Sequence, residues 1–317
     1  MTNPLAHIHP ELQPIAKRTP SITFSNKTLW FVRMVMNLTR APQTPPDILL
    51  ENKFIPSQDG QTQIRLRIYK PHQSHQPIPV LLWLHGGGYV MGKPEMDDLK
   101  CFQYVRQLGI AVVSVDYRHA PKHPFPAGLE DSYAALKWVQ THAPQLGLQA
   151  THIALGGASA GGGLAAALAQ LAHDRQEVTP IFQLLIYPML DDRTVTRPDM
   201  AESNHLIWNQ KSNRFGWESY LGQKCGAENM PAYAVPARRT ELSGLPPAWI
   251  GVGTADLFYE EDLAYARKLQ EAGVPCETHI VQGAFHGFDA TNPQLTIVQE
   301  FQNAQIAALK KYMGVLV

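Results

Sequence analysis

Short apolar runs recur along the chain at residues 48–55, 64–69, 80–84, 110–115, 152–155, 181–187, 248–253 and 277–281. The second run alternates, placing Ile64, Leu66 and Ile68 on one face, and predicts a strand with one side toward a core. It and its predecessor are expected to lie antiparallel near one edge of a sheet. The later runs are nearly continuous in apolar residues, as in strands buried on both faces. Helical segments such as 131–139 and 260–271 fall between most of them. Strand and helix in alternation predict an α/β fold with a mostly parallel, eight-stranded sheet flanked by helices. Two stretches break the alternation, the residues before about 46 and those at 194–236, and they are expected to form a helical cap. The expected organisation is therefore 1–45 as the N-terminal part of the cap, 46–193 as core, 194–236 as a cap insertion and 237–317 as core. Residues 29–38 are apolar but short and include Arg33, which predicts an amphipathic helix packed on the body rather than a membrane span.

Within this frame Gly157-Ala158-Ser159-Ala160-Gly161 follows the run ending at Leu155 and precedes a small-residue helix at 164–169. Strand, turn and helix are the setting in which G-x-S-x-G holds a nucleophilic serine on a strained backbone, with glycines making room for it. His85-Gly86-Gly87-Gly88 follows the run 80–84. Glycines there allow backbone N–H groups to turn toward a developing oxyanion. A phosphate-binding loop is excluded by spacing, since G-G-G-Y-V-M-G matches neither glycine-rich phosphate motif. Serine chemistry of this kind needs an acid and then a histidine further along. Asp256 stands just beyond the run 248–253 and His286 just beyond 277–281, at the loop positions where functional groups of open α/β sheets gather. Asp191 and Asp192 are the rival acids, and His279, inside a strand, is the rival histidine.

Taken together these motifs resemble those of the hormone-sensitive-lipase family of α/β-hydrolases, over nearly the whole chain. The resemblance rests on His85-Gly86-Gly87-Gly88, on Asp116-Tyr117-Arg118 through Phe125-Pro126-Ala127, and on Glu130-Asp131. It rests equally on Gly157 to Gly162, Gly253-Thr254-Ala255-Asp256 and Phe285-His286-Gly287-Phe288. Two positions depart from the family pattern, Ala158 in the elbow and Leu257 where a proline commonly follows the acid. The resemblance implies a serine carboxylesterase acting on short- to medium-chain esters, with Ser159, Asp256 and His286 as catalytic triad. It also implies Gly87, Gly88 and Ala160 as oxyanion donors. Other acyl hydrolases, such as amidases and lactonases, share the triad, and a non-catalytic ligand receptor of the same fold is the remaining alternative. A cap implies a substrate pocket, for which Trp30, Met34, Leu206, Trp208 and Phe215 are the candidates. A homodimer through the edge strand near 277–281 and the last helix near 295–311 is a further implication.

Composition narrows the partners. Of the 317 residues 44% are hydrophobic, and 27 basic side chains balance 27 acidic ones, which argues against nucleic acid or an anionic membrane surface as the main partner. A neutral ester suits such a chain, with no stable membrane insertion. No metal or organic cofactor is expected. Among the thirteen histidines no H-E-x-x-H occurs, and Pro121 between His119 and His123 argues against one helical face carrying both rings. Three widely spaced cysteines, Cys101, Cys225 and Cys276, predict free thiols, and with no leader pattern at the start a cytoplasmic location is expected.

Overall fold

The structure is a computed structural model that describes residues 5–19, 23–74, 76–197 and 205–315. Eight strands form one sheet: β1 (Ile48–Pro56), β2 (Gln63–Pro71), β3 (Ile78–Leu84), β4 (Ala111–Asp116), β5 (Leu148–Ala158), β6 (Phe182–Ile186), β7 (Ala248–Gly253) and β8 (Cys276–Val281). Their spatial order is β1-β2-β4-β3-β5-β6-β7-β8. β1 pairs antiparallel with β2, and β2 with β4; every other pairing is parallel. The helices are α1 (Gln13–Ala16), α2 (Asn26–Leu38), α3 (Asp98–Leu108), α4 (Ala127–Leu146), α5 (Ala160–Arg175), α6 (Gln210–Leu221), α7 (Tyr259–Glu271) and α8 (Thr296–Met313).

The apolar runs of the central strands are continuous because both faces are covered. In β3, Val80, Leu82 and Leu84 join one core cluster and Leu81 and Trp83 the other, on opposite sides of the pleat. At 25 cal/mol per Å2 each such side chain contributes about 1.5–3 kcal/mol by burial.

Element boundaries differ from the expected ones, three of them instructively. β5 begins at Leu148 rather than 152, because β3 continues to pair with it across an irregularity near Ile78. α4 runs from Ala127 to Leu146, beyond the expected 131–139, and ends where Gly147 turns left-handed at φ 70°. The run expected to end at Tyr187 stops at Ile186, since Tyr187 adopts φ 34° and leaves the strand direction.

The two stretches outside the alternation behave differently. α6 buries Trp217 and Tyr220, and both rings pack on Tyr89 at 5.2 and 4.1 Å. α2 is tied to the body by buried Leu29 and by Arg33, whose guanidinium donates to the Val90 carbonyl and, at 2.8 Å, to that of Ala120. Its wide apolar face looks outward instead of into the core: Trp30 is 69%, Phe31 56% and Leu38 74% exposed.

Candidate active site

Parallel strands end on one edge of the sheet, and the loops beyond β3, β5, β7 and β8 bring the motifs together there. Ser159 links β5 to α5 with φ 57° and ψ −123°, a backbone that L-residues rarely adopt and that projects its side chain off the sheet. The turn is pinned on both sides. Ser159 N donates to Ile186 O at 2.9 Å, and Ser159 O accepts from the N–H of Met189 and of Gly163, each at 3.0 Å. Glycine is required at 161, where a Cβ would stand 2.0 Å from the Leu84 carbonyl oxygen. α5 thus packs its first turn directly on the end of β3.

Asp256 and His286 complete a continuous hydrogen-bonded chain. His286 Nδ1 lies 2.8 Å from Asp256 Oδ2, and His286 Nε2 lies 2.9 Å from Ser159 Oγ. A carboxylate at Nδ1 favours the tautomer with its proton there, which leaves the Nε2 lone pair facing the serine hydroxyl. Asp256 Oδ1 accepts from Phe258 N at 3.0 Å, so both oxygens are engaged. All three groups are nearly buried. The imidazole is held edge-to-face by Tyr187 at 4.8 Å and Phe258 at 5.1 Å. Tyr187 is fixed in turn, donating at 2.6 Å to Asp289, which also pairs with Lys100 at 2.9 Å.

The glycine loop after β3 folds back beside this chain. A Cβ on Gly86 would be 3.5 Å from Ser159 Cβ. Gly87 has φ 129°, and a Cβ there would sit 2.0 Å from Met91 O. The Gly87 carbonyl accepts from Val90 N and Met91 N, each at 3.1 Å. Among the described residues, no protein acceptor meets the N–H of Gly87, Gly88 or Ala160. His85 locks the loop from behind: Nδ1 lies 2.8 Å from Gly86 O, the ring stacks on Tyr117 at 4.4 Å, and Tyr117 donates to His85 O at 2.7 Å. Burial lowers the pKa of His85, which keeps the imidazole neutral and Nδ1–H available as donor.

Of the expected pocket residues, Trp208 lies against this loop. Its ring covers Gly88, where a Cβ would fall 2.1 Å from the indole, and its Nε1 donates to Asn213 at 3.2 Å. Leu206 and Phe215 are half-buried on either side of it in sequence, packed against different core clusters. Trp30 and Met34 do not join them, because they stand on the outward face of α2, where they are 69% and 39% exposed. Ile207 was not legible in the sequence; it has φ 65°, and its Cδ1 comes within 3.9 Å of the Cβ position of Gly287, beside His286.

The rival residues have other tasks. His279 of β8 stacks on Trp249 of the neighbouring strand β7. Asp191 pairs with Arg193, and buried Asp192 binds Arg238 and Gly226 N. His119 packs on His85 and Tyr117, and among the described residues no group of three or more His, Cys, Asp or Glu side chains is placed to hold a metal ion. An unforeseen acidic pair sits under the acid loop. Glu261 accepts from Leu190 N at 2.7 Å, Asp191 N at 3.1 Å and the Thr194 hydroxyl. Burial nevertheless pushes it up to about 8. Its neighbour Asp262 is fully buried, its carboxylate oxygens have no hydrogen-bond partner among the described residues, and burial raises its pKa well above the usual carboxylate range. Nothing local in the sequence distinguishes these two from surface acids at the start of a helix.

Residues 81–290 match the family model described as the alpha/beta hydrolase fold. That span is well over half of the chain. The chain belongs to the α/β-hydrolases, in the hormone-sensitive-lipase branch. Carboxylesterase NlhH of Mycobacterium tuberculosis is 33% identical to this hydrolase over 98% of the chain and 99% of its own length. An ethyl acetate hydrolase of Pseudomonas putida is 33% identical over 73% of each chain. The solved structure of a bacterial heroin esterase superposes with a TM-score of 0.91 at 32% identity, covering 98% of this chain and 99% of that one. The protein is a carboxylic ester hydrolase.

Proposed function

We propose that this hydrolase cleaves short- to medium-chain carboxylic esters through an acyl-enzyme on Ser159. The observation that carries this reading is the unbroken line Asp256–His286–Ser159, with two hydrogen bonds of 2.8 and 2.9 Å, beside three N–H groups that lack a protein acceptor among the described residues. His286 Nε2 takes the serine proton as Oγ attacks the ester carbonyl, and Asp256 stabilises the imidazolium that forms. The N–H groups of Gly87, Gly88 and Ala160 receive the negative oxygen of the tetrahedral intermediate. His286 returns its proton to the leaving alcohol. Water, deprotonated by the same imidazole, then releases the acid. Side chains, backbone N–H groups and water supply every step written here.

Trp208 over Gly88, with Leu206 and Phe215, forms the acyl wall in this reading. A rigid indole held by Asn213 favours small acyl groups, in keeping with the ester named for the Pseudomonas relative. We place residues 1–45 and 194–236 in the cap and the remainder in the core. Burial raises the thiols of Cys225 and Cys276 to about 12, and all three cysteines are free, which suits the cytoplasm. β8 is an edge strand with α8 packed beside it, so a dimer would pair there; sedimentation giving only monomer at micromolar protein would remove that element.

Hydrolysis of p-nitrophenyl esters from acetate to palmitate, wild type against Ser159→Ala, tests the reading. Turnover is expected to be greatest on short acyl chains and to fall by about 10^5–10^6-fold in the variant. Folded wild-type protein inactive on every ester would reject it.

A further inference from the structure

The exposed face of α2 has a composition of its own. Trp30, Phe31, Met34, Val35 and Leu38 recur at i, i+1, i+4, i+5 and i+8, one contiguous arc of about 140° on a helix. Five large apolar side chains, each more than a third exposed, are an uncommon surface for a water-soluble domain. On the opposite side Leu29 is buried and Arg33 is bonded to the body, so the helix is held in this orientation and its apolar arc is not free to turn inward.

Charge is distributed unevenly along the sequence that carries it. The whole chain is neutral, yet residues 1–46 contain Lys17, Arg18, Lys27, Arg33 and Arg40 against Glu11 alone. Lys17, Arg18, Lys27 and Arg40 are exposed. Along the inner side of α2 runs a cavity of about 380 Å3 lined by Arg33, Lys93, Arg118 and Lys122 with the single acid Asp116. Lys93 donates to Thr39 O at 3.1 Å, just past the end of α2. An apolar arc set in basic surroundings matches an anionic lipid surface, where apolar side chains enter the acyl boundary and cations meet phosphates. A second copy of the chain fits less well, since a two-fold contact would set these cations against themselves.

We infer that α2 is an interfacial helix that docks the enzyme on anionic phospholipid surfaces, with the cap side toward the lipid. The inference goes beyond the proposed chemistry and does not depend on which residue is the nucleophile.

The test is co-sedimentation of the full chain with vesicles of phosphatidylcholine alone and of phosphatidylcholine with phosphatidylglycerol, at matched ionic strength. The protein should pellet with the anionic vesicles and much less with the neutral ones. Val35→Glu with Leu38→Glu should abolish binding. Lys27→Gln with Arg40→Gln should weaken it about 25-fold, at about fivefold per cation. Both variants should hydrolyse a soluble short ester at the wild-type rate, which verifies their fold. No pelleting with anionic vesicles, or binding that survives the paired glutamates, would overturn the inference. So would displacement by inorganic phosphate but not by chloride of equal ionic strength, which would assign the cations to a free phosphate. Loss of a dimer in the glutamate variant would instead assign the face to a second copy.

Discussion

α5 and α2 are both helices rich in small or apolar residues, and they end in opposite environments. Every residue of α5 from Ala160 to Ala172 is buried, whereas α2 leaves Trp30, Phe31 and Leu38 more than half exposed. The first grows out of a strand and lies on its neighbours, so close that Gly161 can carry no side chain. The second is joined to the body by one buried leucine and one arginine. Precision of placement follows from this difference. The groups proposed for chemistry stand where the backbone is fixed from several sides, and the exposed face belongs to a helix attached mainly along one side.

That contrast predicts where substitutions are felt. Asp256→Asn should cost the most after loss of the serine itself, about 10^4-fold in kcat, because Nδ1 would lose the carboxylate that sets its tautomer; steady-state kinetics on a short ester would show it, and a loss under tenfold would remove Asp256 from the proposed role. Gly87→Ala should follow at about 10^2–10^3-fold, with KM little changed, since a Cβ 2.0 Å from Met91 O must displace the donor loop. Unaltered turnover would place the donors elsewhere.

The acidic pair under the acid loop should govern how stability responds to pH. Folded Glu261 titrates at about 8 and folded Asp262 is also raised, whereas the same groups are ordinary carboxylates when unfolded. The fold therefore holds protons that the unfolded chain has already released. This contribution is complete below the unfolded pKa and is lost as pH rises through about 8, so Tm should decline from mildly acidic to alkaline pH. Asp262→Asn should leave Tm unchanged in acid and flatten the decline, as thermal melts across pH would record; a parallel curve would show that Asp262 is not the cause. The smallest effect is expected on α2, where Val35→Ser should alter stability by no more than about 0.5 kcal/mol in a urea titration. A loss above 1 kcal/mol would mean that the face is covered.

Most of the sheet and the hydrogen-bonded line of Ser159, His286 and Asp256 were legible because local rules wrote them. Buried strands must be apolar on both faces, the elbow needs small residues around Ser159, and Asp256 and His286 follow strands by a few residues. The cap was less legible. Amphipathic spacing in 29–38 announces an apolar face but is silent on whether protein, lipid or water meets it, so the pocket role expected of Trp30 and Met34 did not follow from the pattern. Ile207, Tyr187, Glu261 and Asp262 escaped for a related reason: their surroundings are made by segments distant in sequence, as in the bond from Glu261 to Leu190 N across 71 positions.

The most direct test of the central claim is covalent capture. Wild-type protein treated with a p-nitrophenyl alkylphosphonate should release one equivalent of nitrophenol, lose activity, and carry a single adduct on the peptide containing Ser159, with no adduct formed on Ser159→Ala. An active enzyme left unlabelled, or labelled at another residue, would contradict the account.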